Sequence, residues 1–306
     1  KEEFEHQPHD IFSDKLKWDY SNLRWTKDES LFTEANRKKY KIIMSIDISE
    51  GLGEDYSVIQ IFRILQKDKE LIEKKKAHFT KKSDFFKLKQ IGLFRSNLVS
   101  VEQLAEMAYL LAFEYFDEEN VKVVFELNND GKTFRAVLPN VFEQNNNYGS
   151  HVMFRFKHRQ DAIKEEIGIK VGQNKNHMVK DYVDMIEGGD IEVTEATTIK
   201  EITTFIKHQT AAGNIQYRAD GSAHDDTVMP IVNITPVFKK VIYKDFVDDY
   251  FNEIDDMEFR REVESFLEIA EKSEGTDYGA FINATRNMKK YQRPYTPPNP
   301  FNRNFD

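Results

Sequence analysis

The sequence predicts an α/β chain, a mixed β-sheet with helices on its faces. Three observations lead there. The runs "KIIMSIDI", "YSVIQIF" and "VKVVFEL" fill both faces of their segments with aliphatic and aromatic residues, as strands covered on both sides do. Other stretches place apolar residues at helical spacing, among them the long "SVEQLAEMAYLLAFEYF" from Ser100. Their order along the chain is three strands, helix, strand, helix, strand, helices, which a layered mixed sheet accommodates.

Residues 1–39 are polar, mixed in charge and weakly periodic, and read as a linker or packing arm with Trp18 and Trp25 as anchors. A strand at 40–48, a glycine-bearing turn at 50–55, a strand at 56–66, a turn at 67–69 and a strand at 70–79 form a three-stranded meander. Ser100 is the N-cap of a long helix reaching about residue 116. A β-branched strand at 121–127 leads through a turn into a helix at 131–144, and a short strand follows at 152–156. Helices are expected at 174–188 and 196–208, with strands at 190–193 and 214–218. The core closes with "AHDDTVMPIVNITPVF", a helix from about 225 that Pro230 should bend or deprive of a hydrogen bond one turn in. Residues 40–240 thus make one folded domain. Beyond it lies an acidic amphipathic helix at 243–272, with Phe246, Tyr250, Ile254, Val263, Phe266, Leu267 and Ala270 on its apolar face, then a proline-rich extended tail past 290.

Composition narrows the chemistry. The 306 residues include no cysteine, so disulfides and thiolate metal sites are excluded and any metal is held by oxygen or imidazole. The net charge of −9 argues against a general nucleic-acid coat protein but leaves an enzyme open. Lysines cluster at 67–89 and 170–180, where a phosphate backbone could lie, although a solvated face accounts for either run alone. No apolar run approaches the ~20 residues needed to span a bilayer, and "KEEFEHQPHD" is not a signal peptide. A soluble, intracellular protein is expected, and the chain, opening on Lys1, reads as part of something longer.

Three acidic positions are out of keeping with their surroundings. Asp47 sits inside a strand whose neighbours Ile42, Ile43, Met44, Ile46 and Ile48 are all apolar. A carboxylate there needs a cation, a donor network or a metal. Glu126 ends "VVFE", and Asp225–Asp226 open the apolar helix of "SAHDDTVMPIV". If the first strand lies beside the fourth, Asp47 and Glu126 are neighbours and the helix of Asp226 packs across them. Converging carboxylates repel one another unless a divalent ion compensates, and oxygen ligands suit Mg²⁺ or Mn²⁺. Each acid alone also has a structural role open to it: Asp47 in an arginine pair, Glu126 at a strand end reaching solvent, Asp225 and Asp226 as helix caps. His224 reads as a structural histidine or a donor behind the acids.

In this order and at these separations, "MSIDISEGLGEDYSVIQIF", "FELNNDGKTF" and "SAHDDTVMPIV" resemble the nuclease domain of the large terminase subunit of tailed phages, over about residues 40–240. The resemblance implies an RNase H-like fold and a two-metal endonuclease that cuts concatemeric double-stranded DNA during genome packaging in the cytoplasm of the infected host. It makes Asp47, Glu126 and Asp226 the catalytic metal-binding triad, with Asp47 bridging two Mg²⁺ or Mn²⁺ ions and Asp225 a further ligand. Gly51, Gly53 and Asp55 match the family's turn after the first strand, and Asn128 and Gly131 the turn after the second acid. Lys132, Lys170, Lys175 and Lys180 are DNA-binding candidates that would meet phosphates without reading bases. The implied partners are DNA of any sequence, the terminase ATPase domain and the portal protein.

The chain also departs from the family. No phosphate-binding loop of the form G-x-x-x-x-G-K-[ST] occurs, so the motor is not in this chain, and nothing past residue 240 matches. Two rival readings stay open. One is another RNase H-like nuclease, a junction resolvase or an exonuclease, although a DEDD exonuclease wants an acid where Ser49 stands. The other is a docking module for the portal and motor, with little activity of its own.

Overall fold

The computed structural model describes residues 4–27, 33–49, 55–75, 82–127, 129–145, 151–156, 166–172, 175–209, 215–221, 224–239 and 257–272. The chain divides into two compact units, Lys1–Gln66 with Phe86–Tyr250, and Lys67–Phe85 with Phe251–Asp306.

The larger unit begins with β1 (Phe4–His6), α1 (Asp10–Lys15), β2 (Leu23–Thr26) and α2 (Glu34–Arg37), followed by β3 (Ile42–Asp47) and β4 (Ser57–Gln66). After α3 (Lys69–Lys75), which belongs to the smaller unit, come β5 (Phe86–Ser96), α4 (Val101–Tyr109), β6 (Val121–Phe125) and α5 (Asn129–Gln144). Then follow β7 (Arg155–Phe156), β8 (Glu166–Ile167), α6 (Lys175–Glu187), β9 (Ile191–Glu192), α7 (Ala196–Thr204), β10 (Phe205–Gln209), β11 (Ile215–Ala219) and α8 (Val228–Lys239).

The main sheet runs β1-β2-β5-β4-β3-β6, with β9 pairing β5. Strands β3, β4 and β5 are antiparallel neighbours, whereas β6 lies parallel to β3. Three antiparallel strands with a fourth laid parallel beside the first, and helices on both faces, make the arrangement RNase H-like. Beyond β6 the backbone of Ile169 bridges Glu126 and that of Met153 bridges Val123, extending the parallel side.

Strand alternation sorts the two faces. Ile42, Met44 and Ile46 point into a core shared with Leu104, Met107, Ala108 and Leu111 of α4 and the turn after it. Each such fully buried aliphatic side chain is worth roughly 1.5–3 kcal/mol. The opposite face carries Ile43, Ser45 and Asp47. Helix α8 covers that face: it packs on β3, β4 and β6, and Gln60, directly across from Ser45, donates through Nε2 to the carbonyl of Thr227 at 3.1 Å.

Several elements stand where the sequence puts them. Ser100 caps α4 in a reciprocal box with Gln103, the hydroxyl accepting from the Gln103 N–H and the Gln103 side chain from the Ser100 N–H. The helix continues as a π-helical turn over Leu110–Tyr115.

Others differ from expectation, for identifiable reasons. The third strand of the meander is Phe86–Ser96, not 70–79. The segment "KELIEKK" is made of good helix formers and forms α3, while "FKLKQIGLFRS" carries the alternation of a strand. The helix expected over 196–208 stops at Thr204. Thr203 and Thr204 turn their hydroxyls onto the carbonyls of Lys200 and Glu201, and Phe205–Gln209 leaves to pair with β11. Pro230 does not break α8, because it stands in the first turn, where no intrahelical N–H partner is lost. Residues 1–39 contribute two strands to the sheet, and Trp25 of β2 is buried, stacked on Tyr115 at 4.8 Å.

The smaller unit contains α3, a 3₁₀ turn at Lys82–Phe85 and α9 (Met257–Lys272). Within it Phe85 and Phe259 meet edge-to-face at 6.4 Å, and Phe259 and Val263 are buried. The tail helix expected at 243–272 is thus seen from residue 257. Phe246, Tyr250, Ile254 and the proline-rich tail lie outside the described residues.

Candidate functional site

Register alone brings the first two acids together. Ile46 of β3 pairs with Phe125 of the parallel β6, so Asp47 and Glu126 are the next residues of adjacent strands and lie side by side where both strands end. Across β3, Asp47 pairs with Val58 of β4, which pairs with Arg95 of β5. Glu126, Asp47, Val58 and Arg95 form one row across the sheet. They share one face, since residues paired across strands point the same way. Asp225 and Asp226 reach that face from the head of α8, whose first turn begins as Val228 and Met229 donate their N–H groups to the Asp225 carbonyl.

The acids act on one another. Burial, then the charges of Glu126, Asp226 and Asp225, push the Asp47 carboxyl well above its ordinary range, and one hydrogen bond from the Ile48 N–H, at 3.1 Å, opposes them. Burial also raises Glu126, offset by the nearby ammonium of Lys175 at the start of α6. Asp226 is pushed up to about 6, first by burial and then by the charge of Glu201, against the lowering influence of Arg95 and His224.

The surroundings of Asp226 are specific. Its Oδ2 is buried and accepts no hydrogen bond, although Arg95 Nη2 stands 3.5 Å away and His224 Nδ1 3.4 Å away. Glu201 of α7 is the opposite case. Its Oε1 takes Arg95 Nη2 at 3.1 Å, and its Oε2 takes both the N–H and the hydroxyl of Thr227, at 2.8 and 2.7 Å. The Arg95 guanidinium also lies over the Tyr56 ring, 3.3 Å from its centroid, and that ring meets His224 in a T-shaped contact.

A divalent cation fits the donor set of Asp47, Glu126, Asp225 and Asp226. All are hard oxygen ligands, burial disfavours the ionised forms of Asp47, Glu126 and Asp226, the charges of the other acids add to this at Asp47, and one oxygen, Asp226 Oδ2, has unused lone pairs. No three of them bring ligand atoms within 4.8 Å of one another. Among the described residues only Glu118, Glu119 and His151 do that, a largely exposed group of two acids from the turn before β6 and a histidine that follows α5.

The four lysines singled out in the sequence part company. Lys175, partly buried, is close enough to act on Glu126. Lys132 and Lys180 are exposed on α5 and α6, and Lys170 is exposed and paired with Glu166 at 2.9 Å. Asp55 is exposed and raises Asp226 further, Gly131 is buried in the first turn of α5, and Gly51, Gly53 and Asn128 lie outside the described residues. Sequence reading missed Arg95 and Glu201. A charge inside the apolar "GLFRS" was the same signal that marked Asp47, whereas nothing in "TIKEITTF" distinguishes Glu201.

No family model matches the sequence, and no curated protein matches it. Among solved structures the chain is similar to the large terminase nuclease of the thermophilic phage G20c with bound magnesium, at 18% identity over 72% of this chain and 89% of that one, TM-score 0.47. The same nuclease with bound cobalt gives the same values. The large terminase nuclease domain of the Thermus phage P74-26 is similar at 19% identity over 65% of this chain and 80% of that one, TM-score 0.41.

Proposed function

We propose that the chain is a Mg²⁺- or Mn²⁺-dependent endodeoxyribonuclease, the nuclease domain of a viral DNA-packaging terminase that cuts concatemeric double-stranded DNA. The observation carrying this reading is the convergence of Asp47, Glu126 and Asp226 from three elements onto one face at the end of the sheet, with burial disfavouring the ionised form of each and the charges of the other two adding to it at Asp47. The motif resemblance over residues 40–240 supports it. Asp47, Glu126 and Asp226 would hold two ions, with Asp225 a further ligand. Bound there, divalent ions supply an activated water for attack on phosphorus and stabilise the leaving oxygen.

The chain's own residues do the rest. Asp47 feels the charges of both other acids and would be the ligand that the ions share. Lys175, beside Glu126, offers a cation to the phosphate backbone, and Lys132, Lys170 and Lys180 extend contacts that carry no sequence information. Delivery of DNA falls to the terminase ATPase domain and the portal, in the cytoplasm of the infected host. The test is plasmid cleavage in Mn²⁺ by wild type and by Asp47→Asn. Wild type is expected to cut, and the variant to lose cleavage while unfolding no earlier, because a buried charge that only a cation compensates has been removed. Cleavage by Asp47→Asn at the wild-type rate would reject the triad.

A further inference from the structure

We infer that Glu201 is a positioning residue whose task is to hold Arg95 off Asp226, keeping Asp226 Oδ2 open for a divalent cation. The inference rests on the metal-dependent reading of the site and adds to it a residue from a separate helix.

The geometry is a competition between two carboxylates for one guanidinium. Arg95 Nη2 lies within hydrogen-bonding distance of Glu201 Oε1, at 3.1 Å, but stops at 3.5 Å from Asp226 Oδ2. An arginine beside a carboxylate ordinarily closes to 2.7–2.9 Å, and bidentate pairing would occupy the oxygens a metal needs. Three restraints prevent that closure here. Glu201 holds the Nη2 edge, the Tyr56 ring lies against the guanidinium face, and Glu201 is itself locked by the two donors of Thr227. Thr227 follows Asp226 directly, so the same carboxylate that restrains the competitor also fixes the turn presenting the ligand. Glu201 is 5% exposed, and its three acceptor contacts leave it poorly placed to bind metal.

The discriminating substitution is Glu201→Gln. The amide oxygen still accepts from Thr227, so the turn stays, but the charge that holds Arg95 is gone. Arg95 then closes on Asp226 and competes with the cation. Mn²⁺ binding is read by calorimetry on the full chain, and unfolding by circular dichroism, for wild type, Asp47→Asn, Glu201→Gln and Glu201→Gln with Arg95→Met. The expected result is that Glu201→Gln weakens Mn²⁺ binding roughly tenfold, the worth of about 1.4 kcal/mol. Removing the competitor in the double variant should return binding to within about threefold of wild type, although two side chains are then altered. A merely structural role predicts the reverse order, the double variant being the poorer binder. Wild-type affinity in Glu201→Gln, or no recovery in the double variant, overturns the inference while leaving the metal site standing. Equal Mn²⁺ binding by wild type and Asp47→Asn overturns the metal reading itself, and this inference with it.

Discussion

Asp226 illustrates how a single residue couples the site to stability. Its carboxyl is raised to about 6 in the folded chain, and Asp47 and Glu126 are raised as well, whereas carboxylates in an unfolded chain titrate near 4. Between these values the folded state binds protons that the unfolded state has released, so stability falls as pH rises through roughly 4 to 6 and the full penalty stands above it. With metal removed by a chelator, the melting temperature of wild type should decline across that window relative to Asp226→Asn. In a domain of this size each kcal/mol is worth roughly 2–4 °C. Saturating Mn²⁺ should raise the melting temperature of wild type at pH 7, and far less that of Glu126→Ala. Parallel melting curves for wild type and Asp226→Asn in chelator would show that the raised carboxyl does not exist.

At the scale of elements, the sheet depends on one close approach. Gly92 of β5 lies under the Trp25 indole of β2, where a Cβ would come 2.8 Å from the ring and 3.1 Å from Ile61 Cδ1. Trp25 cannot retreat, because it stacks on Tyr115 and is wedged edge-on to Phe116. Gly92→Ala should therefore cost about 1–3 kcal/mol through overpacking, measured by urea unfolding, with the acids at the far side of the sheet undisturbed. A neutral substitution would mean that β2 is free to shift on β5. The same packing explains why residues 1–39 were hard to read. Strands of three and four residues with polar surroundings give no period of their own, and β1 and β2 exist because β5 offers an edge to pair with.

For the whole molecule, charge decides how substrate is met. The chain carries −9 even with its lysine runs at 67–89 and 170–180, and no base-reading motif is present. DNA binding by the isolated chain should be weak, indifferent to sequence, and steeply reduced by salt, because its contacts are to phosphates. Titrating labelled duplexes of unrelated sequence at two salt concentrations, in Ca²⁺, measures this. Tight, salt-insensitive preference for one duplex would argue against both the binding mode and the proposed packaging role.

The sequence by itself determined the central strands, the capped helix after Ser100 and the absence of thiol chemistry, and it marked Asp47, Glu126 and the pair Asp225–Asp226 as candidates, because each is a local signal: an apolar run, a cap, a charge in an apolar setting. It misplaced the third strand of the meander at 70–79; "FKLKQIGLFRS", which carries the alternation of a strand, is the segment that pairs with β4, and "KELIEKK" forms α3. Nor could it supply Arg95 and Glu201 as neighbours of Asp226, for they come from β5 and α7, 131 and 25 positions earlier in the chain, and meet only when the sheet and α7 are assembled. Whether a buried carboxylate is paired, protonated or free to bind a cation depends on the charges and donors around it in space, and tertiary structure alone sets those.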